Sequence, residues 1–162
     1  FDGPIAIRYP RGSAHQGLRE YQAPVEYGRS EIIRKGKKIA VLGVGSMIPS
    51  CMEICKGLKD DGYDPTFVNA RFVKPLDVDL LDELAKDHSL FVTVEENVKS
   101  GGYGEHVSAY MEACHPEIRV LSAAVWDRFV PQGNVESLRS RIGLGVEDIR
   151  QAIEDSEELR EQ

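Results

Sequence analysis

Glu95, Glu96 and Asn97 stand together at the end of an apolar run, and three glycines, Gly101, Gly102 and Gly104, precede a helical pattern that starts near residue 103. Two adjacent glutamates at a strand end can serve acid/base chemistry. Glycines ahead of a helix leave backbone N–H groups that can hold an anion. A third reading is purely architectural: one glutamate caps the helix or bridges to a partner while the glycines permit a tight turn. Spacing alone leaves the three open, and His106, one turn into the helix, reads as a surface or interface side chain.

Other stretches carry charge suited to anions. Residues 5–12, IAIRYPRG, load the end of a strand-like segment with Arg8 and Arg11 around Tyr-Pro. VNARFVKPLD (68–77) places Arg71 and Lys74 at the carboxyl end of a strand, the edge where α/β sheets keep functional groups; a loop arginine paired with a carboxylate fits equally. VWDRFVPQG (125–133) frames Asp127 and Arg128 with Trp126 and Phe129, a composition typical of interfaces, with an internal salt bridge under packed rings as the alternative. GVGSM (43–47) lacks the third glycine of GxGxxG and reads as a tight turn with close packing.

Several chemistries lack their residues. The cysteines Cys51, Cys55 and Cys114 form no CxxC and have no histidine at metal-ligand spacing; Cys51 and Cys55, four apart on one helical face, read as core packing. There is no P-loop, no GxSxG, and no GDG with a downstream asparagine to hold a diphosphate–metal unit. The formal net charge of −7 argues against a general nucleic-acid or membrane-surface binder. Residues 1–38 hold eight Lys/Arg against four Asp/Glu, a net of +4, which leaves −11 on the rest. The basic excess lies beside RYPRG.

Alternation of strand-like and helix-like segments must position these groups. Strands are expected over 4–9, 30–38 (a short edge strand and turn), 38–45, 66–73, 89–96 and 118–125, and helices over 48–61, 75–88, 103–115, 134–142 and 146–160. Pro75 opens the second helix and Asp77 caps it; Gly62 stops the first. Apolar strands alternating with helices predict a mainly parallel sheet covered on both faces. Residues 12–28 read as a linker. The opening Phe-Asp-Gly-Pro reads as a piece of a longer chain. No 18-residue apolar run or leader pattern is present, and an odd cysteine count fits a reducing compartment, so a cytoplasmic location is expected.

Taken together, GPIAIRYPRG, VLGVGSM, VNARFVKPLD, FVTVEENVKSGGYGEHV and DRFVPQG resemble, in order and spacing, the last quarter of the 1-deoxy-D-xylulose-5-phosphate synthase family, thiamine-diphosphate enzymes related to transketolase. The resemblance implies residues 1–28 as the end of a preceding domain plus linker, and 29–162 as a transketolase-like C-terminal domain. The implied fold is a three-layer α/β/α sandwich with a five-stranded, mainly parallel sheet and one antiparallel edge strand. It implies an enzyme that condenses pyruvate with glyceraldehyde 3-phosphate, as a homodimer, with thiamine diphosphate and Mg2+ held by absent N-terminal domains and none by this chain. Arg11 would hold the substrate phosphate. Glu95, Glu96, Gly101, Gly102, Trp126, Asp127 and Phe129 would lie at an interface or beside the active site, with no catalytic residue here. Transketolase, 2-oxo-acid dehydrogenase beta subunits, a split enzyme and a stand-alone binding module are the alternatives.

Overall fold

A computed structural model describes residues 3–4, 15–21 and 23–156. Arg11 and nearly all of the expected first strand over 4–9 lie outside the described residues. The remainder builds one five-stranded sheet in the order β1-β3-β2-β4-β5. Its strands are β1 (Glu31–Arg34), β2 (Lys38–Gly43), β3 (Thr66–Asn69), β4 (His88–Val98) and β5 (Arg119–Val125). β2, β3, β4 and β5 run parallel, and β1 joins β3 antiparallel at one edge. The expected sheet and its antiparallel edge strand are present.

The apolar runs explain the centre of the sheet. Ile39–Leu42 and Leu90–Val94 are buried on both faces because helices cover both. On one face, Ile39, Val41, Leu90, Val92 and Val94 pack against α1 (Ile48–Asp60) and α5 (Val146–Glu154), which contribute Cys51, Ile54, Leu58, Ile149 and Ile153. On the other, Ala40, Leu42, Val68 and Phe91 meet α2 (Val78–Ala85) and α3 (Tyr103–Cys114) through Leu81, Leu84, Val107 and Met111. A short α4 (Val135–Arg141) lies between β5 and α5 in the chain. The layers are therefore α/β/α. Cys51 and Cys55 are core residues as expected, and burial pushes the Cys55 thiol up to about 12.

Several boundaries differ from the sequence expectation. β3 ends at Asn69 rather than 73: Ala70 N donates to Gly43 O, and Arg71 turns into the left-handed region at φ 50°. β2 stops at Gly43, where an added Cβ would lie 2.8 Å from Cys51 Sγ. That glycine lets α1 close onto the sheet. β4 runs on to Val98, past the expected 96. α2 starts at Val78, with Asp77 capping Leu80 N, so Pro75 precedes the helix instead of opening it.

Candidate functional site

The carboxyl ends of the parallel strands converge where β4 leads into α3. Alternation along β4 sends neighbouring side chains to opposite sides, and Glu95 and Glu96 part company there. Glu95 is fully buried (0% exposed), whereas Glu96 is exposed. Glu95 Oε1 accepts from Gly104 N at 2.8 Å; Oε2 accepts from Tyr103 N at 2.9 Å and from Asn97 Nδ2 at 3.0 Å. No lysine, arginine or histidine pairs with it among the described residues. Its charge is held by the N-terminal N–H groups of α3 and by one amide, an arrangement that a helix dipole favours.

The anion cradle expected from the glycines is thus filled by the chain's own carboxylate, and the glycines are needed to let it in. A Cβ on Gly102 would lie 2.7 Å from both Glu95 Oε1 and Val98 O. One on Gly104 would lie 2.2 Å from Ser122 Oγ and 2.5 Å from Thr93 Oγ1. Gly101 adopts φ 74°, open to glycine without strain. Of the three readings left open by the spacing, this geometry is the architectural one: Glu95 caps the start of α3 from the interior beside the buried Gly102, and Glu96 points the other way. Burial, followed by the Asp77 and Glu95 charges, also holds the Tyr103 phenol above its ordinary range.

Glu96 turns outward and ties two elements together. It accepts from Ser46 Oγ in the 3-10 turn Gly45–Met47 and from Arg139 of α4, whose Nε and terminal nitrogen reach Oε1 at 2.8 and 2.7 Å. Nothing in the spacing of Glu96 and Arg139, 43 residues apart, signals that bridge. Arg71 resolves toward architecture: it pairs with Glu31 on β1 and donates to the carbonyls of Ala23 and Pro24, anchoring the segment that leads into β1. Lys74 is exposed, as is His106.

The loop after β5 presents apolar rings to solvent. Trp126 is 57% exposed and Phe129 fully so, with Val98, Val130 and Val135 exposed nearby in sequence or register. Lys99 Nζ sits 4.9 Å from the Trp126 ring centroid. Asp127 and Arg128 are exposed and form no ion pair with each other among the described residues. The alternative of rings packed over an internal salt bridge is therefore set aside.

Comparison with known proteins accords with this geometry. The family "Transketolase, C-terminal domain" matches residues 28–149. Curated relatives include the 1-deoxy-D-xylulose-5-phosphate synthases of Lachnoclostridium phytofermentans, 42% identical over 92% of this chain and 24% of that protein, and Dictyoglomus thermophilum, 40% identical over 94% and 25%. The chain spans about a quarter of the length of these relatives. Among solved structures, a split-gene transketolase described as an inactive β4 tetramer superposes with a TM-score of 0.78 at 28% identity, covering 85% of this chain and 45% of that one. Transketolase from Campylobacter jejuni (TM-score 0.56, 17% identity, 80% of this chain and 19% of that one) shares the fold.

Proposed function

The chain belongs to the transketolase C-terminal domain family, and from that premise we propose that it is the C-terminal domain of a 1-deoxy-D-xylulose-5-phosphate synthase. The observation that carries this reading is 42% identity to such a synthase over 92% of the chain, set against 28% to the split-gene transketolase. The reaction joins pyruvate to glyceraldehyde 3-phosphate with loss of carbon dioxide. The product, 1-deoxy-D-xylulose 5-phosphate, feeds isoprenoid, thiamine and pyridoxal synthesis.

Thiamine diphosphate, with Mg2+, supplies the carbanion chemistry of the full-length enzyme, and the described residues of this chain offer neither group a fitting site. No cluster of three His, Cys, Asp or Glu able to hold a metal occurs among the described residues. The glycine-rich N-terminus of α3, the natural place for a diphosphate, is closed by the Glu95 carboxylate at 2.8–2.9 Å from two of its N–H groups. A second anion there would meet a buried negative charge.

The work left to this chain is positioning. The loops over 95–104 and 126–133 face the second subunit of a homodimer or the preceding domains, covering Trp126 and Phe129; such rings bury roughly 150–250 Å² each when covered. Arg11, within the end of the preceding domain, offers a bidentate fork to the phosphate of glyceraldehyde 3-phosphate. A second reading, an enzyme split over two chains, draws support from the likeness to the split-gene transketolase.

The test is complementation. A cell deprived of its own 1-deoxyxylulose-5-phosphate synthase should grow when given the full-length polypeptide that contains this segment. Rescue of a transketolase-deficient cell instead would overturn the reading.

A further inference from the structure

The loop that joins β3 to α2 carries Arg71 and Asp77, and both face the segment that leads into β1. Arg71 donates to Pro24 O at 3.1 Å and Ala23 O at 3.2 Å, and pairs with Glu31 at 2.5 Å. Phe72 meets the Tyr27 ring edge-on, with centroids 5.7 Å apart. Gly28 adopts φ 72°, and an added Cβ there would lie 2.9 Å from Pro75 Cγ. Asp77 accepts from Arg29 at 3.0 Å and from Ser30 N at 2.7 Å, and Asp79 accepts from Arg29 at 2.6 Å. Ser30 Oγ donates to Ala70 O at 3.1 Å.

Apolar burial contributes little here, since Val25 and Tyr27 are both exposed. Polar hooks hold the segment, and they are reciprocal. A guanidinium of the loop grips two carbonyls and a carboxylate of the incoming chain. A guanidinium of the incoming chain grips two carboxylates at the start of α2. The two hooks differ in strength. The Arg71 and Glu31 side chains are 13% and 11% exposed, whereas Arg29 is 49% exposed, so solvent screens the second hook more.

We infer that residues 23–30 form a latch docked on the loop between β3 and α2, and that the hinge toward the chain ahead of this domain lies N-terminal to Ala23. The alternative is a free tether running up to β1. Ahead of Ala23, the described residues meet the apolar core through Leu18, and Tyr21 N donates locally to Leu18 O at 2.9 Å. The latch delivers the incoming chain at a fixed place and angle, so ARFVKPLD serves as a receptor for this chain's own segment. The inference rests on the proposal that a domain precedes this one, and not on the reaction.

Trypsin digestion of the full-length polypeptide under native conditions tests the latch, because cleavage after a residue tracks how often the backbone there opens. Arg19 and Arg29 are both exposed, yet the parent should be cut after Arg19 well before Arg29. Arg71→Ala should speed cleavage after Arg29 about tenfold, the scale of one lost charge-assisted hydrogen bond. Arg71→Lys should restore only part of the resistance, since an ammonium lacks the fork that spans three acceptors. Asp79→Asn, a change to an exposed side chain that leaves the fold alone, should speed it less. Cleavage after Lys86, beyond α2, reports general unfolding and should keep the parent's rate. Equal rates after Arg19 and Arg29 in the parent overturn the latch. So does an unchanged rate after Arg29 in both Arg71→Ala and Asp79→Asn, or one that rises only in step with Lys86. The digest is blind to the reaction: the expected pattern in a polypeptide without synthase activity upholds the latch and overturns the proposed activity alone.

Discussion

The carboxylate of Glu95 lies 2.8 Å from the backbone N of Gly104, and Gly104 has no room for a Cβ because Ser122 Oγ and Thr93 Oγ1 stand where one would go. A buried charge, a helix start and a strand pair are thereby fixed by one another. Glu95→Gln keeps the shape but weakens acceptance of the Tyr103 and Gly104 N–H groups. It should cost about 1.5–3 kcal/mol, the scale of a hydrogen bond to a charged group. Gly104→Ala should cost about 1–3 kcal/mol as overpacking. Urea unfolding measures both; a Glu95→Gln protein as stable as the parent would mean the carboxylate is not what holds the start of α3.

Gly57 sits in the middle of α1 under the Arg150 side chain, whose Nε would lie 2.6 Å from an added Cβ. Arg150 pairs from there with Asp61 and Glu147, joining α5 to α1. A helical glycine replaced by alanine ordinarily gains about 1 kcal/mol. Gly57→Ala should fall short of that gain, and recover it in an Arg150→Ala background. Additive effects in this double-mutant cycle would contradict the contact.

His88 is buried, hydrogen-bonded to Thr66 Oγ1 at 2.7 Å and Leu84 O at 2.8 Å, and packed edge-on against Phe91. Burial lowers its pKa, against the opposing influence of Leu84 O and Asp87. The unfolded chain therefore takes up a proton first, near pH 6.5. Stability contributed by neutral His88 is complete above that value and is lost as pH falls through the lower folded one. His88→Gln should flatten the fall in stability between about pH 7 and 5. An unchanged slope in denaturation midpoints across that window would remove His88 from the account.

How much of this was readable depended on which signal each feature leaves. Continuous apolar runs marked β2 and β4, since strands covered on both faces have no polar side. The same property hid the parity of β4. With both faces apolar, nothing in VTVEEN says which glutamate turns inward, so Glu95 and Glu96 looked alike until α3 was seen to take one of them. The early end of β3 depends on Arg71 adopting φ 50° and reaching Glu31, a contact 40 residues away that no local pattern encodes. The loop composition at Trp126 and Phe129 left an interface and internal packing open, because exposure leaves no local pattern; the rings are exposed.

Arg11 carries a kinetic expectation. In the full-length enzyme, Arg11→Ala should weaken use of glyceraldehyde 3-phosphate by about 1.5–3 kcal/mol, and Arg11→Lys should restore only part of it, because an ammonium cannot reproduce the planar fork. Steps that involve pyruvate alone should change much less. Equal loss for both substrates in steady-state kinetics would make this arginine structural.

Calorimetric titration addresses the division of labour between the domains. The isolated chain, given thiamine diphosphate and Mg2+, should release no saturable heat, since Glu95 already occupies the N-terminus of α3. Micromolar binding would place a cofactor site here after all.

The central claim is the reaction, and the most direct measurement supplies the purified full-length polypeptide with thiamine diphosphate, Mg2+, pyruvate and glyceraldehyde 3-phosphate while following carbon dioxide and sugar phosphate together. The account predicts carbon dioxide and 1-deoxy-D-xylulose 5-phosphate in equal amounts, with product formation requiring both substrates. Two-carbon exchange between ketose and aldose phosphates, with no carbon dioxide released from pyruvate, would contradict it and make the protein a transketolase.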